Sequence, residues 1–82
     1  MITLSRKPIL LKGFGISKST LHNRINDGLI TPPISIGGRA VAWPSNEVES
    51  LIYAQIAGKT PNEIRQLVKV LIEKRTEGVA SI

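Results

Sequence analysis

Ser19, His22, Asn23 and Asn26 share one side of a helix expected over Lys18–Asp27, with Lys18, Thr20 and Arg24 on its flanks. These side chains are mostly short, can hydrogen-bond, and have almost no acid among them. That is the chemistry needed to read base edges and grip phosphates in a DNA groove. An ordinary solvated helix face has the same outline, so the reading rests on what surrounds it. Other chemistries fit less well. The stretch from Gly13 to Thr20 superficially resembles a phosphate-binding loop, but Ser17 and Lys12 stand where that pattern needs glycine. His22 and Ser19 lie on one turn as a base and a nucleophile would, yet no acid orients the ring and no oxyanion site accompanies them. Glu47 and Glu49 point to different sides of their helix and cannot pair for acid–base work. The chain has no cysteine and one histidine, which excludes disulfides, cysteine-ligated zinc or iron–sulfur sites and a histidine cage. No enzyme activity, metal or cofactor is expected.

The elements that must hold the polar face are marked locally. Ser17 is a preferred N-cap, Ile16 and Leu21 can close a hydrophobic staple, and Gly28 supplies a stop. Leu21 and Ile25 form the stripe that faces a core. A short first helix is expected over Lys7–Phe14, with Pro8 in its first turn and either Gly13 or Gly15 ending it. Two short helices joined through Gly15-Ile16 have the outline of a helix-turn-helix.

Thr31-Pro32-Pro33 then enforces an extended path. Alternating residues flank Gly37-Gly38, which predicts a β-hairpin with residue 36 opposite 39 and 34 opposite 41. That register puts Ile34, Ile36, Val41 and Trp43 on one face, turns Trp43 toward the core and leaves Arg39 at the tip of a small wing. A further helix is expected from Ser45 to about Ala57, with Val48, Leu51, Ile52 and Ile56 as its stripe and Gly58 as its stop. Thr60-Pro61-Asn62-Glu63 is a capping box. The helix it starts should run to about Arg75 on Ile64, Leu67, Val68, Leu71 and Ile72, with Val70 off the stripe and a frayed tail over 76–82. That stripe can pack on its own domain or serve contacts between copies or with a partner.

The expected fold class is therefore mainly α with a small β-hairpin wing: a winged helix-turn-helix followed by two further helices. Its 82 residues make one domain, with a DNA-binding core over 6–57 and a C-terminal helix over 58–75. Net charge is +5 and unevenly spread. Arg6, Lys7, Lys12, Lys18, Arg24 and Arg39 face the lone acid Asp27 before residue 43, whereas five cations and five acids balance after it. A basic half joined to a neutral half suggests a polyanion-binding module carrying a structural or partner-binding element. Apolar runs are too short to span a membrane, and Met1–Lys7 lacks the run of a signal peptide. The expected location is the cytoplasm, on the nucleoid when bound.

Two motifs carry a resemblance. Gly15-Ile16-Ser17-Lys18-Ser19-Thr20-Leu21 with Gly28, and Ile36-Gly37-Gly38-Arg39-Ala40-Val41-Ala42-Trp43, resemble the AlpA-type phage regulators, close to excisionases and MerR-like winged helices. The resemblance covers roughly residues 6–75. It implies a DNA-binding protein of a prophage or mobile element, acting as an excisionase-like directionality factor, as a regulator near an integrase gene, or both. A tyrosine-type integrase is the implied protein partner. The chain departs from the family's habit at His22, Asn23 and Arg24, so the recognised DNA sequence does not carry over.

On this reading the Lys18–Asp27 helix enters the major groove of double-stranded DNA. Ser17 and the first-turn N–H groups bind a phosphate. Ser19, His22 and Asn23 meet base edges, Thr20 meets a phosphate or a thymine methyl, and Lys18 and Arg24 clamp the backbone. Gly38 in the wing turn and Arg39 at its tip also contact DNA, with Arg39 in the minor groove or on its phosphates. A module this small calls for cooperative self-association on adjacent sites. The competing reading is a protein-interaction module that inhibits a regulator through the same basic face.

Overall fold

The computed structural model describes residues 2–80, with side chains through Arg75. Its elements run β1 (Leu4–Arg6), α1 (Lys7–Phe14), α2 (Lys18–Asn26), β2 (Ile34–Gly37), β3 (Ala40–Pro44), α3 (Ser45–Ile56) and α4 (Pro61–Ala80). Four helices and one small antiparallel sheet carrying a hairpin match the expected class.

The helix-turn-helix forms for local reasons. Pro8 sits in the first turn of α1, where its missing N–H costs nothing. Gly15, at φ 68°, ends that helix and donates its N–H to the Leu11 carbonyl at 2.8 Å. Ser17 then caps α2, its Oγ accepting from the Thr20 N–H at 3.3 Å. Beyond Asn26, Gly28 at φ 77° lets the Leu29 N–H turn back to the Arg24 carbonyl at 2.8 Å. Ile30 and Thr31 then plunge into the core.

The sheet differs from expectation in two respects. Its strand order is β1-β3-β2, so β3 is central and the hairpin is flanked by an N-terminal strand that sequence patterning does not reveal. Three residues hold too few alternations to register as a strand. Ser45 locks it in place, donating its N–H to the Thr3 carbonyl (2.7 Å) and accepting the Thr3 N–H on Oγ (2.9 Å). The hairpin register is also shifted. Ile34 faces Ala42, Ser35 faces Val41 and Gly37 faces Ala40, with an irregularity between Ser35 and Gly37. The turn is therefore Gly38-Arg39 rather than Gly37-Gly38, and the extra residue, Ile36, is exposed. Ile34 joins the face of Ala42, while Ser35 and Ser5 share the face of Val41 and Trp43.

Helices α3 and α4 complete one core of Leu10, Leu21, Ile30, Trp43, Leu51, Val68 and Leu71. On α3 the fully buried row is Glu47, Leu51 and Ala54; of the expected stripe Leu51 is buried, Val48 packs against the core and Ile52 is half-buried, but Ile56 is 75% exposed. Helix α4 returns over Ala54 and leaves Ile56 outside. Its capping box is reciprocal: Thr60 Oγ1 accepts the Glu63 N–H at 3.2 Å, and Glu63 Oε1 accepts the Thr60 N–H at 3.1 Å. Val68 and Leu71 are buried in the shared core, so the α4 stripe packs on its own domain, although Ile72 stays partly exposed. The helical backbone continues to Ala80, beyond the expected end at Arg75. The remainder of the expected tail, residues 81–82, lies outside the described residues.

Candidate nucleic-acid interface

Leu21 fixes the orientation of α2, with only 2% of its surface exposed, and Ile25 packs beside it. The opposite side then carries Lys18, Ser19, His22, Asn23 and Asn26, all exposed. Thr20 and Arg24 are half-buried on the flanks. The Nη1 of Arg24 is shielded from solvent and has no partner among the described residues, so only the rest of its guanidinium can face a ligand.

At the helix start, the Ser17 and Thr20 hydroxyls bond each other at 3.1 Å while Ser17 also caps the helix. The first helical backbone bond is from the Leu21 N–H to the Ser17 carbonyl. The N–H groups of Lys18 and Ser19 consequently have no partner within the helix and point out of its N-terminus, an anion-favouring arrangement.

Between α2 and the hairpin lies a concavity of about 290 Å3. Leu21, Ile25, Val41 and Trp43 make an apolar floor, and Lys7, Lys18, His22 and Asn26 form a cationic and polar rim. Of the residues singled out in the sequence, Lys18 and His22 line this groove. Ser17, Ser19, Thr20, Asn23 and Arg24 lie elsewhere on α2 or its cap, and Gly38 and Arg39 form the exposed hairpin turn. Asn26, placed on the polar face by the sequence, joins the rim, and Lys7 is an addition to the candidate contacts. Asn26 follows His22 by one helical turn and was legible from spacing, whereas Lys7 reaches the groove through tertiary folding alone.

Trp43 is 1% exposed, and its Nε1–H donates to the Thr31 carbonyl at 2.8 Å. It is a core residue that closes the groove floor. The ring buries on the order of 200 Å2 and ties the hairpin to the chain leaving α2.

The sequence profile of the prophage CP4-57 regulatory protein (AlpA) family matches residues 5–56, well over half of the chain. The chain belongs to this family. The family is one of phage-associated regulators, and the matched span takes in the helix-turn-helix, the hairpin and α3 of this chain, while α4 lies beyond it. The chain is also similar to the uncharacterized protein ORF88 of Enterobacteria phage P4, with 37% identity over 54 residues. That match covers 66% of this chain and 61% of the relative, so the chain spans under two thirds of that protein's length. No solved structure matches the chain. Among the described residues, no helix is long and apolar enough to cross a membrane.

Proposed function

We propose that this AlpA-family chain is a sequence-specific DNA-binding protein of a prophage or mobile element. The observation that carries the reading is the joint display of an acid-poor hydrogen-bonding face on α2 and a cation-rimmed groove beside the hairpin. Helix α2 lies in the major groove, with Ser19, His22 and Asn23 at base edges. Lys18 and the open edge of Arg24 hold the backbone, Thr20 meets a phosphate or a thymine methyl, and Ser17 orients the first-turn N–H groups toward a phosphate. Lys7 and Lys18 straddle a neighbouring phosphate. The Gly38-Arg39 turn reaches the adjacent minor groove or its phosphates.

The biological role proposed is that of an excisionase-like directionality factor, a transcriptional regulator near an integrase gene, or both. One such module covers only about 600–1,000 Å2 of DNA-facing surface, so several copies bind adjacent sites cooperatively and bend the duplex, with a tyrosine-type integrase as protein partner. Fluorescence anisotropy at near-physiological salt tests the reading. Duplexes tiled across an integrase promoter and attachment region are compared, with excess random DNA, for wild type and Arg39→Ala. Tight binding to one tile, weakened by the substitution, is expected. Equal weak binding everywhere overturns the groove reading and directs attention to an acidic protein surface as the target of the basic face.

A further inference from the structure

The chain between α2 and β2 has an unusual anchoring problem. Its first N–H groups, from Asp27 to Leu29, turn back to α2, and Ile30 and Thr31 are buried, but Pro32 and Pro33 have no N–H to donate, so carbonyls supply the remaining polar anchors. Three of those carbonyls, from Asp27 to Pro32, are taken by side chains. Arg65 Nε donates to Asp27 at 2.9 Å, Trp43 Nε1 donates to Thr31 at 2.8 Å, and Arg75 Nη2 donates to Pro32 at 2.9 Å. Two of the three donors belong to α4.

Each arginine is itself held. Arg65 is steadied by Asn62, whose Oδ1 accepts from Nη1 at 3.0 Å, and its stem lies over Gly28, 3.7 Å from where a Cβ would stand. It therefore sits on the C-terminal end of α2, where a cation is favoured. Arg75 makes a two-point bond with Glu47, at 2.7 Å from Nε and 2.6 Å from Nη2. Glu47 is 2% exposed and stands in the first turn of α3, immediately after β3. The two arginines are ten residues apart, about 15 Å along a rigid helix. One rod thus touches the end of α2 at one point and the chain leading into the hairpin at another.

We infer that α4 is a brace that sets the angle between α2 and the hairpin, with Arg65 positioning the helix and Arg75 positioning the hairpin. The inference rests on the proposed DNA-binding reading for its functional meaning, but its geometry can be tested without DNA. Helix α4 lies outside the span that the family profile matches, whereas Glu47 and the carbonyls that α4 helps to hold lie inside it.

The experiment uses Glu47→Leu combined with Arg75→Met. This pair removes both charges together, leaves no uncompensated buried ion and deletes the Pro32 anchor. Arg75→Lys serves as a second variant, because an ammonium keeps the charge but cannot span Glu47 and Pro32 with a planar fork. Residual dipolar couplings of the N–H vectors in β2 and β3, referred to those of α2, report the angle directly. A reorientation in either folded variant, with cooperative unfolding retained, is expected; an unchanged angle in both overturns the brace.

On the preferred duplex, the variants should bind on the order of tenfold more weakly, and the loss caused by Arg39→Ala should shrink in their background while that of Asn23→Ala persists. Full additivity of Arg39→Ala with the variants overturns the hairpin-positioning role. Should no duplex be preferred by wild type, the DNA reading falls, and the couplings alone decide the brace.

Discussion

The two halves of this molecule use their cations in opposite ways. Before residue 43, none of the six basic side chains has a hydrogen-bonded or ion-paired protein partner among the described residues. After it, three of the five do: Lys59 with Glu63 at 3.7 Å, Arg65 with Asn62 and the Asp27 carbonyl, Arg75 with Glu47 and the Pro32 carbonyl. Charges that are satisfied internally hold a fold together. Charges left in water, beside a face of hydrogen-bonding groups, are available to something outside. The contrast separates a bracing half from a binding half more sharply than net charge does.

The strongest way to break this comparison is to remove one partner of the buried pair. Arg75→Ala leaves the Glu47 carboxylate buried and unpaired, and should destabilise the fold by about 3–5 kcal/mol in urea denaturation. Arg39→Ala should change stability by no more than about 0.5 kcal/mol in the same assay. Equal effects would erase the distinction. Next in size, Asn23→Ala should lose about 1–3 kcal/mol of affinity for the preferred duplex and relax specificity at one base pair, with denaturation unchanged. A loss of equal size on every sequence would remove the base-reading role. Lys7→Ala should act differently, weakening binding uniformly and lowering the log–log salt slope by about 1. An unaltered slope would take Lys7 out of the interface.

The smallest effect sits in the bracing half. The Thr60 backbone N–H, bonded to its carboxylate, holds Glu63 below the usual carboxylate range, aided by the Thr60 hydroxyl and Lys59. A depressed folded-state pKa gives stability that is fully present above the unfolded value and is lost as pH falls through the folded one. Glu63→Gln should therefore lower Tm slightly at neutral pH and flatten its acid limb. A parallel displacement of the whole Tm-against-pH curve would show that the carboxylate charge contributes nothing.

Legibility from the sequence followed the range of the interactions involved. The cap at Ser17, the stop at Gly28 and the capping box at Thr60 each depend on residues within four positions, and all three stand where the sequence places them. The hairpin was legible as a hairpin, but its register was not. The irregularity at Ile36 lies opposite Val41 and Ala40, and alternation of residue types alone does not distinguish a regular register from one that carries an extra residue. Glu47 defeated the periodicity of α3 because a carboxylate heads the buried row, and its justification lies 28 residues away on Arg75. The polar face of α2 was readable as a face. That Lys7 would complete the rim of its groove required the chain to fold first.

Trp43 gives this molecule a built-in optical reporter. It is the single tryptophan in the chain, and its indole is packed in the core yet closes the floor of the groove between α2 and the hairpin. Anything that settles into that groove comes up against the fluorophore, and anything that loosens the chain at Thr31 disturbs its N–H bond. Emission excited at the red edge of the indole band can thus follow occupancy of the groove and melting of the core in one cuvette, with no dye attached and no residue replaced.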